Sequence, residues 1–83
     1  MLEEKNMSCY HYTVIFQPAP EGGYNVLVPA IPEIVTYGET IEEARSMAED
    51  AIRCFLESAL KTDEPIPHDV AEVTTERVAV TIP

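Results

Sequence analysis

Glu21–Ala44 reads EGGYNVLVPAIPEIVTYGETIEEA, and this stretch contains the turns and the helix start that decide the fold of the chain. Gly22 and Gly23 favour a hairpin turn, because glycine reaches positive φ without a Cβ clash. The alternation that follows predicts a half-buried strand from Tyr24 to Val28. The stretch therefore predicts two strands joined by a tight turn, which favours antiparallel pairing.

Two prolines and a glycine divide the second half of the stretch. Pro29 and Pro32 remove amide donors and end the second strand. The β-branched and aromatic run Ile34–Tyr37 then predicts a short third strand, which Gly38 ends. These breaks predict a meander of three strands rather than one long hairpin.

A helix start follows the third strand. Thr40 is predicted as its N-cap and Glu43 completes a capping box, which satisfies two amides at the helix N-terminus. From Ile41 to about Leu60 the apolar period changes from two to 3.6 residues. One apolar stripe results, formed by Ile41, Ala44, Ala48, Ala51, Ile52, Phe55, Leu56 and Ala59.

Strands are predicted on both sides of this central part. Cys9–Gln17 alternates as a first strand, and Glu72–Ile82 is predicted as a last strand. The fold class is therefore α+β, in the order βββαβ, with a small antiparallel-rich sheet and one long helix on one face. Residues 1–8 are expected to be a flexible tail, and residues 9–83 to form a single domain.

One helix covers only one face of a sheet, yet the predicted strands have apolar residues on both faces. In the first strand, Ile15 is on the other face from Val14 and Phe16. In the second strand, Leu27 is on the other face from Val26 and Val28. The uncovered face or the last strand is therefore expected to mediate a homodimer or a higher oligomer.

Composition limits the function. Five Lys and Arg against 15 Asp and Glu give a net charge of −10, which disfavours direct binding to nucleic acid or membranes and favours a basic protein partner. The two cysteines have no zinc spacing, and no apolar run approaches the ~20 residues of a membrane span. The polar N-terminus does not resemble a secretory signal, so we expect a cytoplasmic protein with reduced thiols.

Little in the sequence points to catalysis. The predicted strands Tyr10–Gln17, Tyr24–Val28 and Ile34–Tyr37 contain no Asp or Glu, so a two-metal nuclease centre is not expected. Cys9 and His11 share a strand face and could form a nucleophile–base pair, although an ordinary pair of strand neighbours accounts for them better. We predict no catalytic residue, no metal and no cofactor, and we keep a Cys9–His11 enzyme as an alternative.

The motifs and their order resemble the HicB-like antitoxin family. The resemblance rests on Glu21-Gly-Gly-Tyr24, Val28-Pro-x-Ile-Pro32, Thr36-x-Gly-Glu-Thr-Ile-Glu-Glu-Ala44, the helix, and Ile66-Pro67. It covers roughly residues 10–70. In this family the fold is a partly degraded ribonuclease H-like arrangement, and the resemblance assigns structural roles to Gly22, Gly23, Tyr24, Pro29, Pro32, Gly38, Thr40 and Ala44.

The resemblance also implies a function. It implies a protein that binds and silences a small basic, RNA-cleaving toxin of the HicA type, without catalysis. Many members add a C-terminal DNA-binding domain; this chain ends at Pro83, so no direct nucleic-acid contact is expected. Acidic residues are the candidate toxin-binding surface: Glu33, Glu39, Glu42, Glu43, Glu49 and Asp50. The alternative is an orphan regulatory or ligand-binding module of the same fold, acting through oligomerisation.

Overall fold

The computed structural model describes residues 9–83, which form a three-stranded antiparallel sheet and one long helix. Within the sheet the strands stand in the order β1-β2-β3, so β2 is central. This confirms the predicted α+β class. The elements are β1 (Ile15–Pro18), β2 (Tyr24–Leu27), β3 (Val35–Gly38) and α1 (Ile41–Lys61). The flexible tail predicted for residues 1–8 lies outside the described residues.

The turn between β1 and β2 has the conformation that its glycines predict. Gly22 and Gly23 have φ values of 109° and 75°. The amide of Gly22 donates to the carbonyl of Ala19, and the amide of Ala19 donates to the carbonyl of Gly23, both at 3.0 Å. The resulting register pairs Tyr24 with Pro18 on one side and with Gly38 on the other.

The start of α1 confirms the predicted cap. The Thr40 hydroxyl accepts the amide of Glu43 at 3.1 Å. The Glu43 carboxylate accepts the amide of Glu39 at 2.7 Å, one residue before the position that a capping box uses. Two amides at the helix N-terminus are therefore satisfied by side chains of the motif itself.

The end of α1 is a hydrogen-bonded cap that the sequence did not predict. Asp63 has φ 59°, its amide donates to Leu60 at 3.3 Å, and the amide of Glu64 donates to Ala59 at 2.8 Å. This pair of bonds is a Schellman motif, in which glycine is the usual residue at the left-handed position. Here aspartate takes that position, so the usual glycine signal is missing from the sequence.

The core lies between β2 and the apolar stripe of α1. Val26 and Ala44 are fully buried, and Ala48 packs with them. A second cluster contains Val28, Ile31 and Ile34. The predicted stripe is confirmed: four of its members are buried and the other four are half-buried, and the buried ones are Ala44, Ala48, Leu56 and Ala59.

Two consecutive turns connect β2 to β3, and they place two isoleucines in the core. The amide of Ile31 donates to Val28 at 2.8 Å, and that of Ile34 donates to Ile31 at 3.0 Å. Both isoleucines therefore point into the core although neither belongs to a strand. The Pro29–Glu33 segment therefore places Ile31 in the core, and the roles that the resemblance assigns to Pro29 and Pro32 stay predictions.

The first strand is shorter than predicted: of the predicted range Cys9–Gln17 only residues 15–17 form a ladder with β2, which Pro18 extends by one residue. Its partner β2 ends at Leu27, where the turns just described begin. Residues 9–14 therefore have no strand beside them, and Tyr12 and Val14 pack against the core from outside the ladder.

The predicted last strand, Glu72–Ile82, is wrong in this structure: the segment pairs with no strand of residues 9–83. All of residues 71–83 are exposed, and Val78, Val80 and Ile82 are 75%, 78% and 81% exposed. The radius of gyration is 16.5 Å, where a compact chain of this length has about 12 Å. The described order is therefore βββα, and the single domain of residues 9–83 and its kinship with ribonuclease H stay predictions.

Candidate protein-interaction surfaces

The six acidic residues expected at a toxin interface are all exposed, but they do not form one patch. Glu39, Glu42 and Glu43 surround the N-terminus of α1. Glu33 instead borders a shallow depression beside Phe55 and Pro65–Pro67, near the other end of the helix. Since an α-helix rises 1.5 Å per residue, Phe55 lies about 20 Å along the axis from Glu42.

Some of these carboxylates already have partners. Glu49 and Asp50 both contact the guanidinium of Arg53, at 2.9 and 3.1 Å. The Glu43 carboxylate is held by the amide of Glu39. The side chain of Glu42 forms no ion pair or hydrogen bond with another described residue. Among residues 9–83, the carboxylates of Glu39, Glu42 and Glu43 at the start of α1 therefore form no ion pair.

Tyr37 lies near several of these carboxylates. The Tyr37 hydroxyl donates to the carbonyl of Gly22 at 2.8 Å. Partial burial raises the pKa of Tyr37, and the negative charges of Glu39, Glu21 and Glu43 raise it further, in that order. All of these carboxylates therefore act on one phenol. We call Glu21, Glu39, Glu42 and Glu43 the acidic end.

The sequence reasoning missed Glu21 as a member of this surface. The signal that could have found it is the hairpin register, which pairs Tyr24 with Gly38 and so brings the β1–β2 turn beside the helix start. Residues 21 and 39 are far apart along the chain, but both are close enough to Tyr37 to raise its pKa.

The helix lies close to the sheet at this end. Gly38 contacts Ala44 so closely that a Cβ atom at position 38 would overlap the backbone nitrogen and Cα of Ala44. Gly23 is similarly covered by the ring of Tyr37. Gly23, Gly38 and Ala44 therefore make close contacts beside the acidic end and carry no charge themselves.

Cys9 and His11 are close, with 4.0 Å between Sγ and Nε2, and both are exposed. A nucleophile–base pair needs a third group that orients the base. Among residues 9–83 the histidine has no carboxylate hydrogen-bond partner, and no three His, Cys, Asp or Glu side chains converge as metal ligands. The pair lies in the segment before β1, two residues apart, and nothing among the described residues orients the histidine as a base.

Two apolar surfaces remain outside the core. On the sheet face away from the helix, Ile15, Leu27 and Val35 form one row across the three strands. Leu27 is 37% and Val35 77% exposed, which shows the uncovered face that the sequence predicted.

The second apolar surface is an open groove of about 540 Å³ between residues 9–16 and α1. Its floor and walls are mainly aliphatic and aromatic, and Arg45, Glu49, Arg53 and Glu57 form its charged border. The apolar lining includes Tyr10, Val14, Phe16, Ala48, Ile52, Leu56 and Leu60.

The chain is thus a small acidic α+β domain. Its described surface presents an acidic end, an apolar sheet face and an apolar groove. Residues 12–81 match the model of a family described as the HicB-like antitoxin of a bacterial toxin–antitoxin system. The match covers most of the chain. This protein belongs to the HicB-like antitoxin family.

Individual relatives agree with the family. The chain is 45% identical over 64 residues to UPF0150 protein Ta0767 of Thermoplasma acidophilum, an alignment that covers 77% of this chain and 93% of the relative. It is 46% identical over 63 residues to Antitoxin HicB 1 of Photorhabdus laumondii, which covers 76% of this chain and 39% of that protein. It is 45% identical over 56 residues to Antitoxin HicB of Escherichia coli K12, an alignment that covers 68% of this chain and 41% of that protein.

The length of the match differs between these relatives. The alignment takes in nearly all of the Thermoplasma protein but only about two fifths of each of the two proteins named antitoxin. Within residues 9–83, α1 is too polar to cross a membrane.

Proposed function

We propose that this protein is an antitoxin that binds a small basic, RNA-cleaving toxin of the HicA type and blocks it by occlusion, without catalysis of its own. Membership of the family supports the antitoxin role. The observation that carries the finer proposal is the acidic end, where Glu21, Glu39 and Glu43 all act on Tyr37 and Glu42 is free of cations among the described residues.

The charge of the acidic end suits a basic partner. An RNA-cleaving protein needs a positive surface to hold phosphates, so an acidic surface of matching extent competes for the same site. Charges at the border of an interface mainly accelerate association and set specificity. The proposed site of action is the cytoplasm, where RNA is the substrate of such a toxin.

The structure narrows which residues to test. Glu49 and Asp50 share Arg53, and Glu33 lies near the opposite end of the helix, so we place these three at the margin of the contact. Glu42 is the best probe, because its carboxylate has no structural role among the described residues. Glu43 is a poor probe, since its replacement also removes a helix cap.

The experiment is co-expression with the short basic protein encoded beside this gene, followed by co-purification and an RNA-cleavage assay. We expect a stable complex in which cleavage is suppressed. Glu42→Lys should slow association several-fold at low ionic strength. This difference should shrink with added salt, because the screening length falls from ~30 Å at 0.01 M to ~8 Å at 0.15 M.

Glu64→Lys is the matched control. It makes the same change of charge just beyond the C-terminal end of α1, away from the acidic end, and Glu64 takes part in the cap only through its backbone amide. Equal association rates for the two variants at low salt would remove the acidic end from the interface. Uninhibited RNA cleavage by the purified complex would refute the occlusion mechanism.

The second candidate is an orphan regulatory or ligand-binding module that acts through oligomerisation. The observation in its favour is the open apolar groove, whose volume lies in the range of ligand sites, ~300–1,000 Å³. Failure to bind any neighbouring basic protein, together with stable self-association, would favour this alternative over the antitoxin role.

A further inference from the structure

The sheet face away from α1 has two rows of side chains that point away from the core. The first is the apolar row of Ile15, Leu27 and Val35. The strand register places a second row on the same face, formed by Gln17, Asn25 and Tyr37. Five of these six residues are exposed and Ile15 is half-buried, so no other part of residues 9–83 covers the face.

The second row connects the apolar row to the acidic end. Tyr37 follows Val35 by two residues on β3, so the two side chains are about 7 Å apart along the strand. The Tyr37 hydroxyl donates to the carbonyl of Gly22 at 2.8 Å, and Gly22 follows Glu21 in the β1–β2 turn. Glu39 directly follows the last residue of β3. The apolar row and the acidic end are therefore parts of one continuous surface.

The order of chemistry along this surface is that of a protein interface. A specific interface has an apolar central part, which supplies most of the binding free energy, and a polar or charged border. Three strands about 4.8 Å apart make the apolar row roughly 10 Å wide. Tyr37 lies between the apolar row and the carboxylates, and tyrosine is enriched among the residues that contribute most to protein interfaces.

We propose that this sheet face is the apolar centre of the contact with the basic toxin, and that the acidic end is the charged border of the same contact. The inference rests on the proposed function and adds to it the surface that holds the partner. The matching surface of the partner is an apolar patch that covers Leu27 and Val35. Beside this patch, one row of side chains away, Lys or Arg side chains of the partner pair with Glu21 and Glu39.

A basic partner fits this face better than a second copy of the chain. Each copy has a net charge of −10, and the six residues of the face include no Lys or Arg. Two copies packed by this face would add carboxylates to carboxylates without a cation from the face itself. A basic surface is attracted instead, which accelerates its association and selects it among partners.

The two parts of the contact have different kinetic effects. Charges at the border act at a distance and mainly set the association rate, whereas apolar contacts form after docking and mainly set the dissociation rate. Substitutions on the sheet face should therefore accelerate dissociation and leave the salt dependence of association unchanged. This pattern is the opposite of the one expected for Glu42→Lys.

The test measures both rate constants by surface plasmon resonance, with the full-length chain and the short basic protein encoded beside this gene. Val35→Thr keeps a β-branched side chain without charge, and Val35 is 77% exposed, so the fold should be unaffected. It should accelerate dissociation about fivefold, and the double variant Leu27→Thr, Val35→Thr at least about tenfold. Association rates should stay within about twofold at low and high salt.

Val80→Thr is the matched control, because it makes the same change at a side chain that is 78% exposed and lies outside the sheet. It should leave both rate constants unchanged. In an independent measurement, titration of methyl-labelled protein with the basic partner should shift the signals of Leu27 and Val35 and leave that of Val80 in place. Circular dichroism of each variant checks that the fold is retained.

The possible outcomes distinguish this inference from the proposed function. A complex that dissociates equally fast with the double variant and with the unmodified chain would overturn the inference and leave the antitoxin role intact. Equal acceleration by Val80→Thr would also overturn it. An unmodified chain that binds no basic neighbour would refute both. A double variant that loses self-association but binds the basic partner normally would assign the face to a second copy instead.

Discussion

Gly38 at the end of β3 lies against the backbone of Ala44 in the first turn of α1, leaving no space for a side chain between sheet and helix. A methyl group at position 38 would meet the nitrogen and Cα of Ala44, which move only if the helix moves. This contact holds the N-terminal end of α1 close to β3, and so keeps the four residues of the acidic end near one another.

Gly38→Ala should therefore destabilise the protein by about 2–3 kcal/mol, the upper part of the range for overpacking, since backbone atoms cannot rotate away. Urea unfolding followed by circular dichroism measures the loss. Ser46→Ala, at an exposed helix position, should change the free energy of unfolding by less than about 0.5 kcal/mol. A Gly38→Ala variant as stable as this control would show that the close contact is absent.

Asp63→Gly should stabilise the protein by about 0.5–1 kcal/mol. Asp63 holds the left-handed position of the Schellman cap at φ 59°, where glycine lacks the Cβ strain of other residues. Thermal unfolding at neutral pH should show a higher midpoint. Asp63→Ala is the control and should lower it, because alanine keeps the Cβ and lacks the polar side chain. A lower midpoint for Asp63→Gly would contradict the cap.

The contact between Asp69 and Thr13 predicts that the free energy of unfolding depends on pH in the acidic range. The amide of Thr13 is the main cause that lowers the pKa of Asp69, helped by the Thr13 hydroxyl and the amide of Val70 and opposed by desolvation. Because the folded pKa is below the ordinary ~3.9, the stabilisation is complete above that pH and is lost as pH falls through the folded pKa.

Asp69→Asn keeps the shape of the side chain but removes this titration. We expect the variant to be less stable than the unmodified chain at neutral pH, and the difference to shrink as the pH falls below about 4. Urea unfolding at a series of pH values, with amide exchange at Thr13, measures both effects. A difference that stays constant across this range would show that the charge of Asp69 plays no part.

Tyr37 predicts a second titration at high pH. Burial and three neighbouring carboxylates raise its pKa above the ordinary ~10, so its contribution to stability is complete below that value and is lost as pH rises through the folded pKa. In a spectrophotometric titration, Tyr37→Phe should remove a late-titrating phenol.

Burial also raises the pKa of Tyr12, so one late-titrating phenol should remain in Tyr37→Phe. Glu39→Gln is the control: it keeps both phenols and should move only the Tyr37 step to lower pH, because Glu39 is the largest of the three charges that raise the pKa of Tyr37. If Tyr37→Phe removes only an early-titrating phenol, the carboxylates do not converge on Tyr37 as the structure shows.

The sequence by itself determined the elements whose causes are local. The turn at Gly22 and Gly23, the cap at Thr40 and the stripe of α1 depend on residues within a few positions of each other. Their conformations are set by sterics, by side-chain caps and by a period of 3.6 residues, so an α+β fold with one helix on a small sheet could be predicted.

Only the tertiary structure decided the remaining features, because they depend on which distant segments meet. The hairpin register places Glu21 beside Tyr37, and the course of the helix separates Glu33 from Glu42. Residues 72–82 have the alternation of a strand, but a strand exists only where another strand offers its hydrogen-bonding edge. Within residues 9–83, residues 72–82 pair with no strand, although β1 has an open edge.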